Sequence, residues 1–161
     1  MRSLAIFSTR RFLPVAVLGC SLFPLFGCSR SGKVETALVA QISRACAGQA
    51  SCRIRIDQAT SFDWDKMYAF KYTATEQDRE HALGMKDIGY RDLERQIVFL
   101  KDGKIVHQES EPTNVEHPVK NEVVFDIPDA VAFKSYSRGT EFTVDRLNGK
   151  LGPYFQLREA R

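Results

Sequence analysis

Two dipeptides, Asp102-Gly103 and Asn148-Gly149, set the tightest limits on what this chain can fold into. Both pairs tolerate the positive φ that a two-residue hairpin turn requires. The first joins Gln96–Lys101 to Lys104–Glu109 and pairs Phe99 with Val106 and Leu100 with Ile105. Apolar partners then fall on both faces, which predicts an interior position in a sheet. The second pairs Phe142 with Phe155 and Val144 with Pro153, leaving Thr143 and Tyr154 on the opposite face. Between the hairpins Val119, Val123, Phe125 and Ile127 alternate with Lys120, Glu122 and Asp126, a further strand that Pro128-Asp129 ends.

The segment ahead of the hairpins mixes both periodicities. Val34, Ala37, Leu38, Ile42 and Ala45 share one face at helical spacing, with Gly48 as the stop. Arg53-Ile54-Arg55-Ile56-Asp57 alternates with period two, the pattern of a strand buried on one side. From Phe62 to Tyr72 the even positions are aromatic except Lys66, so Phe62, Trp64, Tyr68, Phe70 and Tyr72 line one face of a long strand. Thr75 opens a short helix as its cap and Gly84 closes it. The sum is a single α+β domain over residues 34–161, with a mostly antiparallel sheet of about six or seven strands and two helices covering one side.

Upstream, Arg2, Arg10 and Arg11 precede a run from Phe12 to Gly27 that carries no charge. A bilayer-spanning helix needs about 20 apolar residues, and this run is shorter and holds Pro14 and Pro24. It ends in Leu25-Phe26-Gly27-Cys28, which resembles the lipobox of bacterial lipoproteins. The resemblance implies a signal peptide over residues 1–27, cleavage before Cys28, and attachment of diacylglycerol and further acyl chains such as palmitate to that cysteine. Residues 28–33 then form a short linker. Val17-Leu18-Gly19-Cys20 offers a second site, but cutting there would leave Ser21–Phe26 as an apolar mature end. An ordinary signal peptide with Cys28 left as a free thiol is the remaining reading. In lipoproteins of two-membrane bacteria an Asp after the lipidated cysteine retains the protein in the inner membrane. Ser29 stands there, which by the same resemblance favours the outer membrane, facing the periplasm.

Cleavage would change the charge. Of 23 basic residues three precede Cys28, while none of the 20 acidic residues does, so 20 of each follow. No net positive charge remains to draw phosphate, and nucleic acid and a polybasic membrane contact are both set aside. Downstream of Cys28 the cysteines are Cys46 and Cys52, an even pair around a small loop that reads as a disulfide in an oxidising compartment.

The stretch Phe62-Asp63-Trp64-Asp65-Lys66-Met67-Tyr68-Ala69-Phe70, with Leu83-Gly84 and Val98–Val106 after it, resembles a group of small bacterial envelope proteins. Their pattern is Phe-Asp-Trp-Asp-x-x-Tyr-x-Phe before a short helix and a Val-Phe-x-Lys-Asp-Gly-Lys-Val strand. The likeness covers roughly residues 52 to 110, and it brings no activity and no catalytic residue with it.

Asp63 and Asp65 share one face of the expected strand, as a carboxylate pair, as a cation site that lacks a visible third ligand, or as a solvated edge bonding nearby backbone. Trp64 and Tyr68 either build the core or, with Asp63 and Asp65, form a binding surface. Tyr90, Tyr136 and Tyr154 are further surface candidates. His81, His107 and His117 lack zinc-ligand spacing, and neither His-Glu-x-x-His nor Gly-x-Ser-x-Gly occurs, so no metal and no cofactor is expected. The sequence therefore points to a lipid-anchored envelope protein acting as a binding or accessory module, held to the membrane by acyl chains and engaging an envelope protein. An inhibitor or ligand binder of the periplasm is the alternative. A small hydrolase is the less favoured one, with Asp63, Asp65 and His107 as its first residues to test. Replacing Cys28 with Ser is expected to abolish incorporation of radiolabelled palmitate, and label that persists would move the lipid to Cys20.

Overall fold

The computed structural model describes residues 32–49, 51–86, 89–112 and 117–161. Cys28, the alternative Cys20 and the whole signal-like segment lie outside them. Among the described residues no helix is long and apolar enough to cross a membrane.

The elements run α1 (Lys33–Ala45), β1 (Ser51–Arg55), a short 3-10 turn (Ile56–Gln58), β2 (Lys66–Phe70), α2 (Glu76–Leu83), β3 (Glu94–Lys101), β4 (Lys104–Pro112), β5 (Val123–Phe125), β6 (Phe133–Ser137), β7 (Glu141–Gly149) and β8 (Gly152–Glu159). Eight strands replace the expected six or seven. They form two four-stranded sheets, ordered β1-β7-β8-β5 and β4-β3-β2-β6. All pairings are antiparallel except β5 on β8. The α+β class holds, but the single sheet and the shared helical side do not.

Two cores explain the layering. The larger gathers Val34, Leu38 and Ile42 of α1 with Ile54, Trp64, Met67, Phe99, Phe142, Val144 and Leu157, so it lies where both sheets and α1 meet. The smaller holds Tyr68, Phe70, Leu83, Val98 and Leu100 on the other face of the second sheet, beneath α2. Strand β2 is therefore buried on both sides: Met67 and Ala69 point into one core, Tyr68 and Phe70 into the other. This corrects the expectation of one aromatic face. Residues 62–65 precede the strand, and Trp64 packs with Met67 and Phe99 rather than beside Tyr68.

Local chemistry fixes most element ends. Thr75 and Asp78 form a reciprocal capping box, and Gly84 closes α2 at φ 68° in the left-handed region. The two capping bonds, the backbone one first, hold the Asp78 carboxyl below its ordinary pKa. Cys46 and Cys52 are joined in a disulfide with Cα atoms 5.3 Å apart, tying the end of α1 to β1. Ala45, expected on the apolar face, is exposed, because the buried stripe is Val34, Glu35, Leu38, Gln41 and Ile42. Strand β1 stops at Arg55, and Ile56 enters the core from the 3-10 turn.

Both hairpins form, each with a changed register. Asp102 and Gly103, at φ 50° and 72°, make the first turn, and Leu100 faces Ile105. A bulge follows, and Phe99 faces His107 instead of Val106, which is left exposed. In the second hairpin the turn falls on Lys150-Leu151, so Phe142 faces Glu159 and Val144 faces Leu157. The shift is an even number of residues, so Phe142 and Val144 keep their inward face. The long strand expected from Val119 is reduced to Val123–Phe125, with Val119 held in an isolated bridge to Leu151. Strand β6 had no clear signal in the sequence, and it carries Tyr136 into the core, where it is buried rather than on the surface.

Because α2 roofs the smaller core, its cap bears on the whole domain. Thr75→Ala is expected to lower unfolding free energy by about 1 kcal/mol in a urea titration, with little change in slope.

Candidate functional site

Asp63, Trp64, Asp65, Tyr68 and His107, singled out in the sequence, are not among the residues that line the main cleft. Trp64 is 1% exposed, donates from Nε1 to Thr60 Oγ1 at 3.0 Å and meets Phe99 edge-on. Tyr68 is buried at 8%, stacked on Phe70 with Lys66 over its ring. Neither offers an exposed binding surface. Asp63 pairs with Arg138 and with Lys101, the latter at 3.3 Å. Asp65 accepts from the Asp102 backbone N–H at 2.8 Å, and its own carbonyl accepts from Arg138 N–H. Both carboxylates are exposed and brace neighbouring turns, in line with the solvated-edge reading. His107 contacts the Phe62 ring at 4.6 Å and Glu109 at 2.8 Å. Among the described residues no cluster of three His, Cys, Asp or Glu side chains is arranged to hold a metal.

A different group of residues forms a site. The bulge at Val106 turns His107, Glu109 and Glu111 to the face that carries Phe99, Ile97 and Arg95, their partners across the strands. That face meets the first turn of α1, whose amides lack intrahelical partners. Gly32 is the N-cap and has no side chain to offer. Glu109 supplies the missing acceptor, taking the Val34 N–H at 2.9 and 3.0 Å, while Glu111 accepts from Gly32 N–H. Carboxyl oxygens are suitable acceptors at a helix N-terminus, where unpaired N–H groups give a partial positive charge. A Cβ on Gly32 would meet the Glu109 carboxylate, so a larger residue there would make that side chain shift from its bond to the Val34 N–H.

Glu35, in the same first turn and 5% exposed, accepts from Val123 N–H of β5 at 2.9 Å and hydrogen-bonds Glu111. Two carboxyl groups this close share a proton more readily than they both ionise. Burial, then the hydrogen bond with Glu35, push the Glu111 pKa up to about 8. At neutral pH Glu111 is thus a neutral acid that can donate a hydrogen bond. Arg95, beside the pair, is committed elsewhere: it is ion-paired with Glu122 and donates to Val123 O at 2.6 Å. Its Nε is buried with no hydrogen-bond partner among the described residues.

The pair stands at one end of a cleft of about 530 Å³. The cleft runs between α1, β5 and the Phe70 end of the second sheet, walled by Leu38, Ala69, Phe70, Ile97, Phe125 and Ile127. Lys71 and Asp129 lie on its rim, 3.6 Å apart, and Asp126 is exposed there. A cleft of this size with apolar walls and a few converging polar groups is the usual form of a small-molecule site. Asp63, Asp65 and His107 do not line it.

The sequence held one signal for this site that went unread. Glu35 shares the helical face of Leu38 and Ile42, so an acid sits on a core-facing stripe. Glu109 and Glu111 gave none, since alternating charge on a strand reads as solvated.

Glu111 makes stability pH-dependent in a stated direction. The folded chain keeps a proton that the unfolded chain loses near 4.5, so this group lowers stability as pH rises from about 4.5 to about 8, and adds nothing further above that. Glu111→Gln keeps a donor towards Glu35 and removes the titration. The variant is expected to be more stable than the parent at pH 8 by on the order of 1–2 kcal/mol, allowing for solvent screening of a half-buried group. Its stability between pH 5 and 8 should be flatter, as measured by denaturant titration.

No protein-family model, curated protein or solved structure matches this chain, and the site stands on its own geometry.

Proposed function

We propose that this protein is a lipid-anchored component of a bacterial envelope that binds a small ligand in the cleft between α1, β5 and the second sheet. The anchor is Cys28, and the favoured place is the periplasmic leaflet of the outer membrane. The observation that carries the reading is the cleft itself, an apolar chamber with a buried carboxyl pair at one end. Such a chamber holds a ligand's body by burial and orients its head by the pair.

A docking role based on the Trp64 and Tyr68 surface loses its anchors, since both rings are spent on the cores. Ligand binding therefore takes precedence over engagement of an envelope protein. A hydrolase built on Asp63, Asp65 and His107 gains no support from this cleft, which none of the three lines. The linker also constrains the arrangement. Residues 28–32 reach no further than about 18 Å when fully extended, so the start of α1, and with it the carboxyl end of the cleft, would stay near the membrane surface.

The test is native mass spectrometry of the protein isolated from membranes. Expected is a mass increment of a bound small molecule, lost in Val124→Trp, which places an indole on the cleft lining. An unchanged increment in that variant, with its melting temperature preserved, would place the ligand elsewhere and overturn the assignment.

A further inference from the structure

We propose that the occupant of the cleft is an organic cation with an apolar body, a protonated amine carried on an aliphatic or aromatic skeleton. This rests on the reading of the cleft as a ligand site and names the chemistry that the site selects. The argument is one of charge and burial. Besides the Tyr72 phenol, six acidic or basic side chains line the cleft: Glu35 from α1, Arg95 from β3, Glu111 from β4, Lys71 after β2, and Asp126 and Asp129 after β5. Both bases are already engaged. Arg95 is paired with Glu122 and bonded to Val123 O, and Lys71 is bonded to Pro128 O at 2.7 Å and paired with Asp129. Among the described residues Glu35, Glu111 and Asp126 form no close ion pair, and the base nearest the carboxyl pair is Arg95, which faces Glu111 across the strands and is itself paired with Glu122. The polar neighbours Gln96 and Gln156 are neutral.

An anion entering this lining meets two carboxyl groups and no uncommitted base. A neutral ligand gains a hydrogen bond from the Glu111 acid and adds no positive charge to a lining in which acidic side chains outnumber basic ones four to two. An ammonium supplies that charge at a half-buried end of the cleft, where an ion pair is stronger than in open water. Its apolar body then covers Leu38, Phe70 and Phe125. Arg95 Nε, buried without a hydrogen-bond partner among the described residues, is a donor for an acceptor group carried on that body.

Cation binding also moves a proton, and the balance can be written. Before binding, Glu111 is a neutral acid hydrogen-bonded to Glu35. With an ammonium beside it the Glu111 carboxyl ionises, and its proton passes to solvent. One bound cation therefore releases about one proton at pH 7, below the pKa of the free group, and progressively fewer above pH 8.

The experiment is isothermal titration calorimetry on the full lipidated chain in nanodiscs of zwitterionic lipid, with empty nanodiscs subtracted. The probes are 2-phenylethylammonium, 2-phenylethanol and 3-phenylpropanoate, at pH 7 in two buffers of different ionisation enthalpy. Expected is binding of the ammonium at least about tenfold tighter than either other probe, which is about 1.4 kcal/mol, with release of about one proton. Glu111→Gln should keep binding and lose the proton release. The double variant Glu35→Gln, Glu111→Gln should bring the ammonium down to the affinity of the alcohol, with melting temperature confirming the fold. Alcohol or carboxylate binding as tightly as the ammonium, blocked by Val124→Trp, would overturn the cation assignment and leave the ligand site standing. No binding of any probe at millimolar concentration would overturn both.

Discussion

One extra residue in β4 decides what the interior of this protein contains. In a strand successive side chains alternate between faces, so inserting a residue reverses every assignment beyond it. Without the bulge, Phe99 would face Val106, and Gln108 and Ser110 would stand opposite Ile97 and Arg95. With it, His107, Glu109 and Glu111 turn inwards, while Gln108 and Ser110 turn to the α2 side, where Ser110 accepts from Gln96 Nε2 at 2.8 Å. The domain thereby brings a row of ionisable groups to the larger core and puts Val106 in water. The inward row is stabilised by what it meets. His107 lies against Phe62 and Phe99, Glu109 closes the first turn of α1, and Glu111 accepts from Gly32.

The position of α1 follows from that row. Its apolar stripe of Val34, Leu38 and Ile42 would pack on many sheet faces, because burial of apolar area has no direction. The amides of its first turn do have direction, and Glu109 and Glu111 offer the acceptors within reach. Glu35 adds a bond to the β5 backbone, so one helical turn is joined to both sheets, to β4 in one and β5 in the other. On the opposite side the arrangement is similar in kind. Arg79 of α2 is 1% exposed, lies over Phe70 and bonds Gln96 Oε1, so this helix too is located by a buried polar contact set within apolar packing.

What the sequence discloses divides along the same line. Features set by local stereochemistry are readable: the Thr75 cap, the Gly84 stop, the Asp102-Gly103 turn and the cysteine loop all depend on a few consecutive residues. Features set by partners distant in the chain are not. Nothing in Ile105-Val106-His107 announces a bulge, because its cause is the packing of the His107 ring against Phe62 and Phe99. The parallel pairing of β5 with β8 joins residues more than thirty apart, and β6, with Lys134 and Ser135 between aromatics, has weak alternation. Trp64 and Tyr68 are an instructive misreading. Period two assigned them to one face of one strand, whereas the strand starts only at Lys66 and both of its faces are covered. For the carboxyl site the limit is sharper, since Glu109 and Glu111 are buried by a helix some seventy residues earlier in the chain.

The two members of the carboxyl pair do not have equal structural duties. Glu35 answers a need of the fold: the Val123 N–H is buried on an edge strand, and without an acceptor it would cost about 1–3 kcal/mol. Glu111 answers a lesser one, since the amide of Gly32 at the helix start is only half-buried and water could serve it. Yet Glu111 is the member held far above its ordinary pKa, at a standing cost to the folded state. If closure of the helix–sheet junction were all that position 111 had to provide, an apolar side chain of similar volume would serve without that cost. A group that strains the fold while facing a cleft is better explained by what the cleft receives than by what the fold requires.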